Sequence, residues 1–349
     1  MTRQSISIAS SVLWLSLGIF IISGCHAGDG APGGQGGSSG GGLGGASASG
    51  AGGQPVTGGG GAPATADGGL VVADETLCGA VALTADKIVA AGKTVALCAG
   101  STLSFGPGIG LTVNGRLVVQ GTAQRPVKLL GATASAGSWT GLVLNAGGEL
   151  AASYLEIHDA DTALAARPAS TYAVDHLVID DSTVMMVLSA DGSIAHGRLR
   201  GLGNAQSSSP VFVSNASPRV TDTSVTQGLY PGVDMIIVGG GNSAPVFDHV
   251  EVADSHCAFH INESGGTVVT NSWLHHNAYA FMLGVSLAGH INHNNFQDNL
   301  VNLGTCSGTS LEVKDNYFEG APFDDSCNTL TVTGTAPAGP YPTGIGPQP

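Results

Sequence analysis

The sequence predicts an all-β solenoid, a single-stranded parallel β-helix, and three observations carry that prediction. The first is a phrase written four times. His249-Val250-Glu251-Val252-Ala253, Asn271-Ser272-Trp273-Leu274-His275, His293-Asn294-Asn295-Phe296-Gln297 and Asp315-Asn316-Tyr317-Phe318-Glu319 start 22 residues apart. A self-similar period of about 20–25 residues is the mark of a solenoid. The second is that each phrase alternates at period two and is bounded by Asn, Asp, Gly and Ser, which reads as a short strand. The third is exclusion. The period is too short for the common helix-pair repeats, 55 glycines disfavour helix, and the Leu-x-x-Leu-x-Leu of leucine-rich repeats is absent. One coil per repeat, of about 20–27 residues, then stacks on the next at about 4.8 Å.

Alternation sorts the side chains. Positions two and four of the phrase point inward and positions one, three and five outward. The inward pairs are Val250/Val252, Ser272/Leu274, Asn294/Phe296 and Asn316/Phe318. Asn294 over Asn316 suits a ladder of buried side-chain amides. The register extends backwards with looser spacing through phrases beginning at Asp222, His196, His176 and Tyr154. Variable intervals are expected, because turns between strands tolerate insertion.

Four segments follow in chain order. Residues 1–24 carry Arg3, then an apolar run from Val12 to Ile22 that is short for a spanning helix, then small residues. This reads as a cleaved signal. Ile22-Ser23-Gly24-Cys25 resembles the bacterial lipobox, which implies a lipidated Cys25 and anchorage in a lipid bilayer. By the same resemblance, His26 in place of Asp implies the outer membrane or cell surface. Residues 25–69 are nearly all Gly, Ala, Ser, Pro and Thr. They cannot bury enough apolar surface to offset ordering entropy, so they read as a flexible tether. Residues 70–332 are the β-helix domain. Residues 333–349, rich in Pro and Gly, read as a disordered tail.

The domain opens with short apolar strands at Val95-Ala-Leu, Leu111-Thr-Val, Leu117-Val-Val, Val127-Lys-Leu-Leu and Leu142-Val-Leu. The run Leu111-Thr-Val-Asn-Gly-Arg-Leu-Val-Val-Gln-Gly-Thr-Ala-Gln-Arg-Pro-Val, with Trp139-Thr-Gly141, resembles the opening coils of secreted right-handed parallel β-helix proteins of the pectin-lyase-like superfamily. The resemblance covers roughly residues 75 to 325. It implies the right-handed fold and leaves function open, since that superfamily includes polysaccharide lyases, glycoside hydrolases, epimerases and non-catalytic surface proteins.

Six cysteines fit this scheme. Cys25 takes lipid. Cys78 and Cys98 are 20 apart and Cys306 and Cys327 are 21 apart. About one coil separates each pair, so two cross-coil disulfides would staple the two ends of an exported solenoid. Cys257 is left over. In His256-Cys257-Ala-Phe-His260, one Cys and two His make an incomplete zinc set, and a buried free thiol is expected instead. No metal or other cofactor is expected. Calcium would need several converging oxygens, which the sequence does not place.

Acids outnumber bases 25 to 11, giving a net charge of −14. That argues against nucleic acid as a partner. The chain is expected to be a monomer, with polysaccharide as its candidate ligand. The outward columns point there. Trp273 and Tyr317 stand among His249, Glu251, His275, His293, Asn295 and Asp315, and aromatic faces with polar neighbours suit sugars. A second group, Asp180, His196, Arg198, Arg200 and Asp222, offers the residue types of a lyase or hydrolase. The ordered hydrolase signature is missing, Gly289-His290-Ile291 departs from Gly-His-Gly, and an ion-pair ladder explains the group as well. A non-catalytic binding role is therefore favoured over a lyase or hydrolase.

Overall fold

A computed structural model describes residues 72–202, 211–226, 233–284, 287–304, 310–322, 332–334 and 337–348. Those residues form an all-β parallel solenoid. The strands fall into three rows, and every coil contributes one strand to each as the chain winds. The first row runs from Glu75–Leu77 to Val332–Thr333, the second from Ala80–Leu83 to Tyr317–Phe318, and the third from Lys87–Val89 to Val301–Gly304. The third row holds ten strands, one per coil. All ladder pairings between named strands are parallel, each strand bonded to its counterpart one coil away.

The 22-residue phrase is the second row. Glu251 pairs with Trp273, Trp273 with Asn295 and Asn295 with Tyr317. Val252, Leu274, Phe296 and Phe318 form the adjacent inward column, the first three fully buried and Phe318 partly buried at the last coil. The looser early register holds as well. Leu155 pairs with Leu177, Val178 with Arg198, Arg198 with Ser224 and Ser224 with Glu251.

Position one of the phrase is not an ordinary outward strand residue. Tyr154, His176, His196, Asp222, His249, Asn271, His293 and Asp315 all have φ between 48° and 58°. They make the corner where the first row turns into the second. Outside glycine, the left-handed region is visited chiefly by Asn, Asp and His, whose short polar side chains tolerate it. The histidines counted as surface chemistry are therefore corner residues. A parallel column, Asp159, Asp181, Asp254, His276 and Asp298, has φ of 51–64° and closes the second-row strand five residues later.

Inside the corners, amides replace apolar packing. Asn294 Oδ1 accepts from Ser272 N at 2.8 Å, and Asn294 Nδ2 donates to Val269 O and Asn316 Oδ1, each at 3.0 Å. Asn316 repeats the arrangement one coil on, donating to Ile291 O at 2.6 Å. The expected ladder is present. A second ladder, not read from the sequence, lies at the other corner. Asn277 Oδ1 accepts from the Ser255 hydroxyl at 2.6 Å, and Asn277 Nδ2 donates to Asn299 Oδ1 at 3.0 Å.

The core between the rows is aromatic at its C-terminal end. Phe259 stacks on Phe281 at 4.9 Å and Phe296 on Phe318 at 4.6 Å, with Phe281 and Phe296 in contact at 5.9 Å. Phe296→Ala is expected to lower unfolding free energy by about 3–5 kcal/mol, because neighbours fixed in ladders cannot collapse into the void. Denaturant titration reads this directly. A loss under about 1 kcal/mol would mean that the column is not a packed stack.

At the N-terminal end, Leu77 pairs with Leu97, which brings the following cysteines together. Cys78 and Cys98 form the expected disulfide, their Cα atoms 5.0 Å apart. Cys25, Cys306 and Cys327 lie outside the described residues. Cys257 is buried and forms no disulfide, as expected.

Candidate functional site

The group considered for catalysis separates into unrelated contacts. Arg198 grips Asp180 with both terminal nitrogens, at 2.9 and 3.3 Å. His196 turns away to Asp175, with Nδ1 2.7 Å from Oδ1. The His176 ring is sandwiched between Tyr154 at 4.0 Å and His196 at 4.8 Å. Asp222 accepts a backbone bond from Gln348 at 3.2 Å. Arg200 is an exposed neighbour of Thr226 in the ladder. The Asp180–Arg198 contact is an ion pair between adjacent coils, and the five residues do not converge on one point.

The second-row face is more organised. Glu251 accepts from the Ser224 hydroxyl at 2.7 Å and from His275 Nε2 at 3.1 Å. His275 is buried, its ring stacked on Trp273 at 3.8 Å, and its Nδ1 lies 2.6 Å from His276 Nδ1. If His275 donates from Nε2 while neutral, its Nδ1 must accept, which fixes the His276 proton on Nδ1. Serine, carboxylate and imidazole are all present, but both others bind the carboxylate. No imidazole bond reaches the Ser224 hydroxyl, so this is not a nucleophile–base relay.

The hydrogen bond from His275 holds the Glu251 carboxyl below its ordinary value of 4.5. Burial opposes that and Ser224 assists it. A carboxyl depressed in the folded state contributes stability above its unfolded value, and loses it as pH falls through the folded value. Melting temperature should therefore drop on acidification below about pH 4.5, and less steeply in Glu251→Gln. Parallel curves for the two proteins would remove Glu251 from the acid response.

Two residues expected on the solvent side are buried, His275 and Asn295, and Trp273 and Tyr317 are only half-exposed. One cause is the segment expected to be a disordered tail. Residues 337–348 carry no strand, yet they make specific bonds to this face. Asn295 Nδ2 donates to Tyr341 O at 3.1 Å, and Tyr341 N donates back to Asn295 Oδ1 at 2.9 Å. The Tyr341 ring lies 4.0 Å from that of His293, and its hydroxyl donates to Asp315 O. Gly346 N donates to Asn271 O at 2.8 Å, beside Trp273, whose indole N–H is buried without a hydrogen-bond partner. The tail is thus a strap lying along the second-row face. His249 and its neighbour Asp248, 3.2 Å apart, complete the candidate ligand-binding set.

A cluster that the sequence reading left incomplete lies on the third row. Asp234 pairs with Cys257 in the ladder, one coil apart. Asp234 Oδ1 is 3.2 Å from His256 Nδ1, and Asp234 Oδ2 is 2.7 Å from His260 Nδ1. Cys257 Sγ is 3.2 Å from His256 Nδ1. Burial pushes the Asp234 carboxyl up, but hydrogen bonds from His260, Cys257 and His256 outweigh it and leave the carboxyl below its ordinary value. Asp234 follows a stretch where coil spacing loosens, so period counting could not pair it with Cys257.

Comparison with models of known protein families gives no match, and comparison with curated protein sequences gives none either.

Proposed function

We propose that the chain is a membrane-anchored surface β-helix lipoprotein of the pectin-lyase-like kind, which binds glycan or cell-envelope polymer along its second-row face without transforming it. The lipobox-like Ile22-Ser23-Gly24-Cys25 and the glycine-rich tether support the anchorage. The observation that carries the binding is the strap. The face grips an extended chain through a two-way side-chain amide contact at Asn295 and a ring contact at His293. Amides and rings are also the groups that hold linear carbohydrate, through hydroxyls and C–H faces. A soluble polymer would compete with the strap for these groups.

The test is a polysaccharide panel offered to the wild type and to Tyr341→Ala, which removes the ring contact and the bond to Asp315. Binding that tightens several-fold in the variant supports the reading. No binding by either protein sinks it. New unsaturated or reducing ends would instead establish the alternative, a polysaccharide lyase or glycoside hydrolase. Cys25→Ser should move the protein out of the membrane fraction, and an unchanged fraction would remove the lipid anchor.

A further inference from the structure

The third-row cluster plays no part in polymer binding on the second row. We propose that Asp234, His256 and Cys257 form a binding site for a thiophilic divalent transition ion, zinc foremost, and that His260 is a positioning residue behind Asp234.

Three features carry this. The first is donor spacing. Zinc bonds of about 2.0–2.1 Å to oxygen and nitrogen and about 2.3 Å to sulfur place tetrahedral ligand atoms about 3.3–3.6 Å apart. The Asp234–His256 and His256–Cys257 distances are both 3.2 Å, and one ligand atom from each of the three residues lies within 4.8 Å of the others. The second is donor chemistry. A thiolate, an imidazole and a carboxylate are a mixed S/N/O set, which suits zinc and its neighbours and not calcium or magnesium. The third is the surroundings. Cys257 is fully buried, and the Asp234 and His256 side chains are 13% and 17% exposed. His260 Nδ1 holds the second carboxylate oxygen, the arrangement by which an outer imidazole or carboxylate orients a metal ligand.

By contrast, the other compact group, Asp175, His176 and His196, is more open and lacks a soft donor. In the third-row cluster, protons link the three donors when no ion is bound. Binding would form one Zn–S, one Zn–N and one Zn–O bond and release the Cys257 thiol proton to solvent, with no redox change. Three protein ligands leave a fourth position for water. Because Asp234 lies one coil before His256 and Cys257, the ion would also clip adjacent coils together.

The experiment uses the full chain in mild detergent, stripped with chelator, titrated with Co²⁺ and then Zn²⁺. Wild type should take one Co²⁺ with a sulfur-to-cobalt charge-transfer band, and Zn²⁺ should bleach it. Cys257→Ser should lose the band with its far-ultraviolet circular dichroism unchanged. His260→Gln should keep the band and weaken binding about 10–100-fold, the usual size of an outer-shell loss. Absence of the band in wild type overturns the site, and so does its persistence in Cys257→Ser. Should Cys257→Ser not fold, Asp234→Asn decides. At least a tenfold loss of Co²⁺ affinity supports the site, and unchanged affinity overturns it. Unaltered binding in His260→Gln would remove its positioning role.

Discussion

Gly141→Ala is expected to destabilise the domain by about 5 kcal/mol or more, the range in which single substitutions become exceptional. Gly141 has φ +113°, and a Cβ there would lie 1.7 Å from Thr162 O and 2.7 Å from Thr162 C. The obstacle is backbone. Thr162 sits at a register shift in the third row, where its strand pairs with Gly141 on one side and with Val184 on the other. Moving its carbonyl would displace the ladder on both sides. The unfavourable backbone conformation adds about 1–3 kcal/mol. Gly147→Ala is the control, since Gly147 also has positive φ, +78°, but nothing within 4 Å of a new Cβ. That variant should cost about 1 kcal/mol. Equal midpoints for the two in urea would show that the Thr162 contact does not govern packing.

Asn294→Ala should cost about 4–6 kcal/mol. The side chain serves two backbone groups that lie away from water, the Ser272 N–H and the Val269 carbonyl. Each group orphaned in the interior costs about 1–3 kcal/mol, and the void adds to that. Asn316 Oδ1 retains the Asn294 backbone N–H at 2.9 Å, so that partner is only half lost. Asn295→Ala, one residue along and outside the coil, breaks contacts with the strap alone and should cost far less. If the two variants unfold at the same denaturant concentration, the ladder carries no special share of stability.

The coil register was legible because side-chain type repeats where structure repeats. The 22-residue interval put Val252, Leu274 and Phe296 on one buried column and Asn294 over Asn316. What polarity could not reveal was its cause. His249, Asn271, His293 and Asp315 are polar and small because the chain turns there at φ of 51–58°. A backbone requirement and a ligand-binding face select the same residue types, and only geometry separates them. The burial of Asn295 was illegible for another reason. Its partner, Tyr341, lies 46 residues away in a segment whose composition resembles a linker. Asp234 escaped because spacing counts fail wherever turns lengthen.

The Cys78–Cys98 link has a mechanical consequence. A pull applied through the N-terminal segment reaches Cys78 and passes through sulfur to Cys98, bypassing the strands between them. Those strands, Ala80–Leu83, Lys87–Val89 and Thr94–Leu97, bear no load while the link stands. The end coil, which has a neighbour on one side only and would otherwise peel first, is thus shielded. Force-extension traces of the oxidised protein should lack about 70 Å of contour that reduction restores, at about 3.5 Å for each of the 20 residue steps enclosed.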